Sequence, residues 1–364
     1  LWKQQNIESS VGVKYDKDKL AKVIENLDCM AEENQIPSVS AKPEFTGEKF
    51  EVAAEQIGTA IDKDKFAETV TKAINGFQSE VDLMKEDCYI LPKYTKDSPE
   101  VAKACEKMNS ELGANITLDF SPNTEVVDSS VISQWITVDD NMQVTFNQDA
   151  VKQYIADLAA KYDTVGKTRN FTTATGNVVQ VEGGGYGWKI DQAAETAALM
   201  ELVSSGSCWS EGQAQADREP VYSQKAASRE GTDWGTTYVE VDLGGQHVYM
   251  FKEGQIVWDA PCVTGNVSKD YTTPSGIYSL TYKEKDRILR GKKKPDGTYE
   301  YESHVDYWMP FNGGIGLHDA SWRSKFGGTL YQTGGSHGCI NLPPQKAPAL
   351  YDLVYKGLPV LCTP

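Results

Sequence analysis

The sequence predicts a multidomain chain, two α+β modules followed by an all-β domain of sandwich type. Three observations predict it. A helix–strand–helix plan occurs twice before Gly206. From Tyr238 the pattern changes to short strands in which apolar and polar residues alternate. A chain of 364 residues also has room for two or three domains. The expected boundaries are 1–97 for the first module, 98–231 for the second and 232–364 for the all-β domain.

In the first module Leu20, Val23, Ile24 and Leu27 recur at helical spacing, which predicts a helix over 18–33 with one apolar face. Pro37 and Pro43 end it. An extended segment is expected at 45–52. Gly58-Thr59-Ala60-Ile61-Asp62 then leads into a second helix. Asp62 is its N-cap, Phe66, Val70 and Ile74 its stripe, and Gly76 its stop.

The second module opens on a lead-in helix. Ser98 is the expected cap and Pro99 lies in the first turn. Val101, Ala104, Cys105, Met108 and Leu112 form the stripe, and Gly113 ends it. Strand-like residues follow at 115–120 and 143–146, and then the first plan repeats. Val151, Tyr154, Ile155 and Leu158 restate the first stripe 131 residues on. Phe171-Thr172 echoes Phe45-Thr46. Gly187 to Asp191 echoes Gly58 to Asp62 after 129 residues, and a helix runs from Asp191 toward Ser205 with Gly206 as its cap. The first copy has only the residues before Tyr15 where the second has its lead-in, which fits a truncated start. The segment Gly183 to Trp188 reads as a tight turn with a packed tryptophan; contact with glycan is the alternative.

A polar linker spans about Ser207 to Trp234. Beyond it, Val239, Val241 and Leu243 alternate with polar residues. His247 to Phe251 and Gln255 to Trp258 flank the hairpin signal Lys252-Glu253-Gly254. Ile277 to Tyr282 and Val360 to Cys362 complete the strands. Between them runs Lys283 to Lys294, the one strongly basic stretch, followed by Pro295-Asp296-Gly297. It reads as a solvated hairpin arm or as a mobile basic flap that meets carboxylates at the mouth of a cleft.

Composition excludes some functions. The formal charge of −16 argues against nucleic acid or an anionic membrane as the main partner. An anionic substrate would need a locally basic approach. No apolar run reaches the roughly 18–20 residues that span a bilayer, and no secretory signal opens the chain. The start at Leu1-Trp2-Lys3 reads as that of a fragment.

The chemistry concentrates in Ser336-His337-Gly338-Cys339-Ile340-Asn341, with His318-Asp319 upstream. A thiol of ordinary pKa, about 8.5, is only a few per cent ionised at pH 7. A neighbouring imidazole can take its proton and return it later. Two of the four histidines lie in this region. Gly334, Gly335 and Gly338 let the backbone turn sharply and turn N–H groups toward a developing oxyanion. His247 and His304 have no motif around them and read as ordinary structural histidines.

The pattern of a histidine, a gap and then Ser-His-Gly-Cys-x-Asn resembles the L,D-transpeptidase (YkuD) family of cell-wall cysteine enzymes. The likeness extends to Pro261-Cys262-Val263-Thr264-Gly265, Thr273 to Tyr278, Tyr307-Trp308-Met309-Pro310 and Gly314 to Asp319. It covers about Thr236 to Pro364, and the preceding modules resemble the peptidoglycan-binding domain that often accompanies this one. The resemblance implies Cys339 as nucleophile and His318 as base and later acid, its imidazole held by Asp319 or a backbone carbonyl. His337 either shuttles protons or positions substrate; both readings stay open. Ser336, Gly338, Gly316, Tyr307 and Trp308 would line the oxyanion hole or the substrate groove, with Cys339 and His318 within hydrogen-bond reach or, without substrate, a little beyond it.

The implied reaction takes a peptidoglycan tetrapeptide stem as donor, forms a thioester on Cys339 and passes it to the amine of a second stem, giving a 3→3 cross-link. Carbapenem-type inhibitors should acylate Cys339. No cofactor is required, and no Cys/His spacing suggests a metal. A monomer is expected, acting outside the cytoplasm at the cell wall, with a membrane anchor upstream. The rival readings are an L,D-carboxypeptidase that uses water as acceptor and a non-catalytic cell-wall binding protein. Cys29, Cys88, Cys105, Cys208, Cys262 and Cys362 remain, and could form three disulfides in 15 connectivities or stay as buried thiols.

Overall fold

The computed structural model describes residues 12–204 and 215–364. Cys208, the Gly206 cap and the part of the linker from Ser207 to 214 lie outside the described residues. Among the described residues two compact units occur. Leu1–Ile116, Val127–Ala150 and Leu202–Gln215 belong to one, and Thr117–Val126, Val151–Glu201 and Ala216–Pro364 to the other.

The first unit holds α1 (Lys17–Glu25), β1 (Lys42–Phe45), β2 (Phe50–Ala53), α2 (Lys63–Asn75) and α3 (Pro99–Ser110). Asp16 caps α1 by accepting the N–H groups of Asp18 and Lys19. The helix ends at Glu25 rather than at 33, because side chains take over the backbone groups beyond it. Asn34 donates its amide to the Asp28 carbonyl and Gln35 to the Cys29 carbonyl, which stabilises two short 3₁₀ turns instead. Ile24 is therefore buried while Val23 is 58% exposed. The extended segment at 45–52 is in fact a hairpin in which Phe45 pairs with Phe50. Asp62 caps α2 as expected. Ile24, Ile61, Phe66 and Cys88 form one apolar core.

Helix α3 buries Val101, Ala104, Cys105 and Met108 of the stripe read from the sequence, and ends at Ser110, before Leu112 and Gly113. Ser98 does not cap it through its side chain; its hydroxyl accepts the Thr95 N–H instead. Asn109 accepts the Phe50 N–H and donates to the Phe50 carbonyl, so α3 is bonded to the β1–β2 hairpin. The helix read as the opening of the second module thus covers the hairpin of the first.

In chain order come β3 (Asn115–Phe120), β4 (Asn123–Val127), α4 (Ser129–Ile132), β5 (Ile136–Val138), β6 (Val144–Phe146), α5 (Gln148–Tyr162), β7 (Arg169–Thr172), β8 (Val178–Val181), β9 (Lys189–Ile190), α6 (Gln192–Ser204), β10 (Gln215–Arg218) and β11 (Tyr222–Gln224). The β7–β8 hairpin repeats β1–β2, and Asp191 accepts the Ala194 N–H at the start of α6 much as Asp62 caps α2. Both copies therefore run helix, hairpin and Asp-opened helix in the same order.

The C-terminal part continues with β12 (Tyr238–Asp242), β13 (His247–Lys252), β14 (Gln255–Pro261), β15 (Gly276–Ser279), β16 (Glu284–Arg290), β17 (Glu302–Asn312), β18 (Ile315–Asp319), α7 (Leu330–Gly334), β19 (Ile340–Leu342), α8 (Ala347–Leu353) and β20 (Pro359–Thr363). Five strands form one sheet in the order β14-β13-β12-β20-β15, and four form another, β16-β17-β18-β19. Val241, Val248 and Val360 of the first sheet share a core with Met309, Leu317 and Ile340 of the second. Helices α7 and α8 were not expected; α8 sits on this core through Ala347 and Leu350. The basic run is a hairpin arm, with β16 along β17 and Lys293 bridged to Tyr299.

The turn Gly183 to Trp188 packs against β15. The Tyr186 N–H donates to the Ile277 carbonyl, and the Ile277 N–H to the Gly183 carbonyl. Gly184 has φ +77, and a Cβ on it would lie 1.9 Å from the Ile277 oxygen. We expect Gly184→Ala to lower stability by about 2–4 kcal/mol, read as a fall in the melting temperature of the whole chain.

Glu240 on β12 is fully buried, and its carboxylate oxygens accept the Ala174 N–H at 3.1 and 2.9 Å. Burial raises its pKa from 4.5 to about 7, against the lowering effect of that N–H, while Asp242 adds to the rise. The folded protein therefore binds a proton that the unfolded chain has released between those two values. Stability falls as pH rises from 4.5 to 7, by about 3 kcal/mol in all. Glu240→Gln keeps an acceptor for Ala174 and carries no charge. Melting curves from pH 5 to 8 should flatten in this variant and lie above wild type at pH 8.

Candidate active site

Strands β18 and β19 run parallel, with Leu317 opposite Ile340, His318 opposite Asn341 and Asp319 opposite Leu342. Parallel neighbours cannot be joined by a tight hairpin, so a crossover of a dozen or more residues must separate them. That crossover contains α7 and accounts for the gap in sequence between His318 and Cys339. Strand pairing then brings Asn341 beside His318, with Cys339 just ahead of β19.

His318 is 3% exposed. Its Nδ1 lies 2.7 Å from the Asp319 carbonyl oxygen, to which the Nδ1–H donates. This fixes the tautomer and leaves Nε2 as the basic nitrogen. Asn341 donates its amide to Nε2 at 3.1 Å. The Asn341 carbonyl oxygen accepts the Arg323 Nε–H at 2.7 Å, which sets the amide so that its NH₂ faces the imidazole. Burial holds the His318 pKa below its ordinary 6.5, against the opposing influence of the Asp319 carbonyl and carboxylate. Asp319 contributes its carbonyl here, because its carboxylate accepts the Tyr307 N–H at 2.8 Å and ties β18 to β17.

Cys339 is half-buried. Its Sγ lies 3.5 Å from the Gly314 carbonyl oxygen, and the Gly316 N–H points at the sulfur. Burial pushes the thiol up to about 11, opposed by that N–H. Cysteine and histidine are thus both neutral near pH 7. They line one cleft of about 250 Å³ together with Tyr301, Trp322, Ser336 and His337. No hydrogen bond joins Cys339 to His318 among the described residues: Asn341 holds Nε2 and the thiol is turned to Gly314.

The loop before Cys339 is braced on all sides. The Ser336 hydroxyl donates to the Cys339 carbonyl at 2.6 Å and accepts the Gly338 N–H at 3.0 Å. Gly338 has φ +115, a conformation that side chains resist, and its carbonyl accepts the Thr273 hydroxyl at 2.7 Å. The Gly338 N–H is therefore already engaged. The ring of His337 lies against Tyr271 and Tyr301, with ring centres 4.4 and 4.7 Å away.

The aromatic wall differs from the expected one. Tyr307 does not line the cleft; it packs against Tyr351 of α8, with Lys285 over its ring. Successive residues of a strand face opposite ways, so Tyr307 and its neighbour Trp308 cannot share a wall. Trp308 lies opposite His318 in the β17–β18 pair, is 4% exposed, and forms a backing 5.9 Å from the imidazole ring. The open walls are Tyr301 and Trp322 instead. Leu289 of the basic arm lines the same cleft, so the arm's strand stands at its edge. His247 and His304 pair with Asp259 and Asp286 at the surface.

Sequence reasoning missed Arg323, Trp322, Tyr301 and Tyr271. None belongs to the cysteine motif: Trp322 and Arg323 arrive together on the loop after β18, and Tyr271 and Tyr301 on two other loops. The one available signal was alternation along Tyr299-Glu300-Tyr301 after the Pro295-Asp296-Gly297 turn. The six described cysteines are free thiols.

A family model described as the L,D-transpeptidase catalytic domain matches residues 236–362. Another, described as "Putative peptidoglycan binding domain", matches residues 1–82 and 94–207. Among solved structures, the Ldtfm–avibactam carbamoyl enzyme is 34% identical with a TM-score of 0.57, over 72% of this chain and 98% of its own. A cysteine-to-serine mutant of the Enterococcus faecium L,D-transpeptidase is 34% identical with a TM-score of 0.56, over 71% of this chain and 98% of its own. No curated protein matches the chain.

Proposed function

Because the chain belongs to the L,D-transpeptidase (YkuD) family, with a peptidoglycan-binding region ahead of its catalytic domain, we propose that it forms 3→3 peptidoglycan cross-links through a thioester on Cys339. We assign catalysis to 232–364 and wall binding to the modules at 1–97 and 98–231. The two kinds of domain imply an extracytoplasmic role at the cell wall. No helix among the described residues is long and apolar enough to cross a membrane.

One observation carries the mechanism: the Asp319 carbonyl holds His318 with its basic Nε2 toward the cleft that Cys339 lines. Because thiol and imidazole are both neutral, the proton moves as the sulfur attacks. Cys339 Sγ adds to the carbonyl carbon of the third stem residue, and its proton passes to His318 Nε2, the thiol displacing the Asn341 amide there. The Cys339 N–H faces the developing oxyanion, since the Gly338 N–H is engaged by Ser336. Collapse breaks the C–N bond to the terminal D-alanine, which leaves with the proton from His318. An amine of a second stem then attacks the thioester and loses its proton to His318, and the thiol returns. His337, flanked by two tyrosines, positions the stem.

Incubation with a carbapenem followed by intact-mass analysis tests the nucleophile. A single adduct mapped to Cys339 is expected, and the avibactam carbamoyl form of the relative Ldtfm supports a nucleophile open to acylation. An adduct on any other residue would refute the assignment. Incubation with disaccharide-tetrapeptide separates the routes by mass: cross-linked dimer marks the transpeptidase, and trimmed tripeptide alone marks the carboxypeptidase.

A further inference from the structure

A second cavity, of about 340 Å³, lies in the same compact unit as the catalytic cleft and shares no lining residue with it. The β3–β4 turn, the end of α5, β7 and residues 228–234 enclose it. Three cations line it, Lys161, Arg169 and Arg229, against one carboxylate, Asp233. That balance is opposite in sign to a chain of net charge −16.

Two of the four charged groups satisfy each other: Arg169 donates to Asp233 Oδ2 at 2.5 Å. Arg229 has a different setting. Its guanidinium lies 3.8 Å over the ring of Trp188 and 4.8 Å over that of Tyr222, to whose hydroxyl it also donates. Among the described residues its Nε is buried without a hydrogen-bond partner, and so is Asp233 Oδ1; Asp233 as a whole is 8% exposed. Buried polar groups without partners are rare in folded proteins and call for a missing one. Here a donor and an acceptor without partners both belong to residues of one cavity wall. Lys161, shared with Glu125, stands exposed at the rim.

The aromatic residues of the wall offer no open platform for a sugar face. Trp188, Trp234 and Phe120 are 7%, 5% and 1% exposed, Arg229 covers the ring of Trp188, and the half-buried Tyr162 has one face stacked on Phe120 and Lys161 over its ring. Recognition must therefore go through charge and hydrogen bonds. We propose that this cavity binds a carboxylate of a peptidoglycan stem peptide, with Arg229 and Lys161 on the carboxylate and Asp233 on an adjacent N–H. The assignment rests on the cell-wall reading above and goes beyond it by placing a second stem-binding site outside the catalytic cleft. The Arg-aromatic stack gives the tryptophan of the glycine-rich turn a purpose in holding a cation rather than in touching glycan.

The test uses the full chain and a diazirine-bearing stem tetrapeptide, with cross-linked positions mapped by mass spectrometry. Labels are expected at the catalytic cleft and, separately, within 117–126, 161–170 or 228–234. Converting the peptide's carboxylates to amides should reduce the second label roughly tenfold, as should Arg229→Gln. Lys161→Gln changes only an exposed rim residue and should reduce it several-fold, which keeps the test decisive if Arg229→Gln fails to fold. Absence of the second label, or a label indifferent to the amides and to Lys161→Gln, overturns the proposal. Displacement by inorganic phosphate but not by untagged peptide also overturns it, in favour of a phosphate-bearing wall polymer. A missing label at the catalytic cleft would instead count against the transpeptidase reading.

Discussion

Cys339→Ser should lower kcat/KM on a donor stem by about 10³-fold or more while leaving the fold intact. The thiol is already a reluctant acid here, held near 11 by burial. An alcohol is a much weaker acid still, and the Gly316 N–H that faces the sulfur cannot make up the difference. The substitution itself is small. The site is half-buried, and a hydroxyl can donate to the Gly314 carbonyl as the thiol does. Unfolding curves of the two proteins should therefore superimpose, and carbapenem adducts should disappear. A serine variant that turned over stems at the wild-type rate would end the covalent mechanism.

His318→Gln should reduce acylation by about 10²–10⁴-fold, the usual range for removing a general base. Glutamine fills much of the same volume and can still donate to the Asp319 carbonyl, so loss of the base can be separated from loss of packing. The pH dependence gives a second readout. Burial lowers the imidazole pKa, so the basic form persists below 6.5. In wild type the acylation rate should be flat around neutrality and fall only on the acid side of 6.5. In His318→Gln that acid limb should vanish. A wild-type profile that fell with a midpoint above 7 would show a raised imidazole pKa, and with it an ion pair with the thiolate in place of the neutral pair.

Much of this was legible because it is local. Helix caps depend on one side chain and the next two or three N–H groups, and Asp62 could be read directly. The duplicated modules were visible as a repeated stripe. The first helix was overread, because an apolar stripe shows which face could be buried and not where Asn34 and Gln35 claim the carbonyls. The resemblance puts Tyr307 in the groove, and the strand's alternation turns it away.

By itself the sequence marked the candidate nucleophile and its setting, since Ser336 to Asn341 is contiguous and its braces are mostly short-range. It also determined the change from helical modules to a β domain, because hydrophobic period is written along the chain. Only the tertiary structure decided what His318 can do. Its tautomer depends on a neighbouring carbonyl, its basicity on burial, and its resting partner on a parallel strand that returns after a crossover. Arg323, Tyr301 and Tyr271 reach the site from separate loops, by contacts between distant parts of the chain that no periodicity encodes.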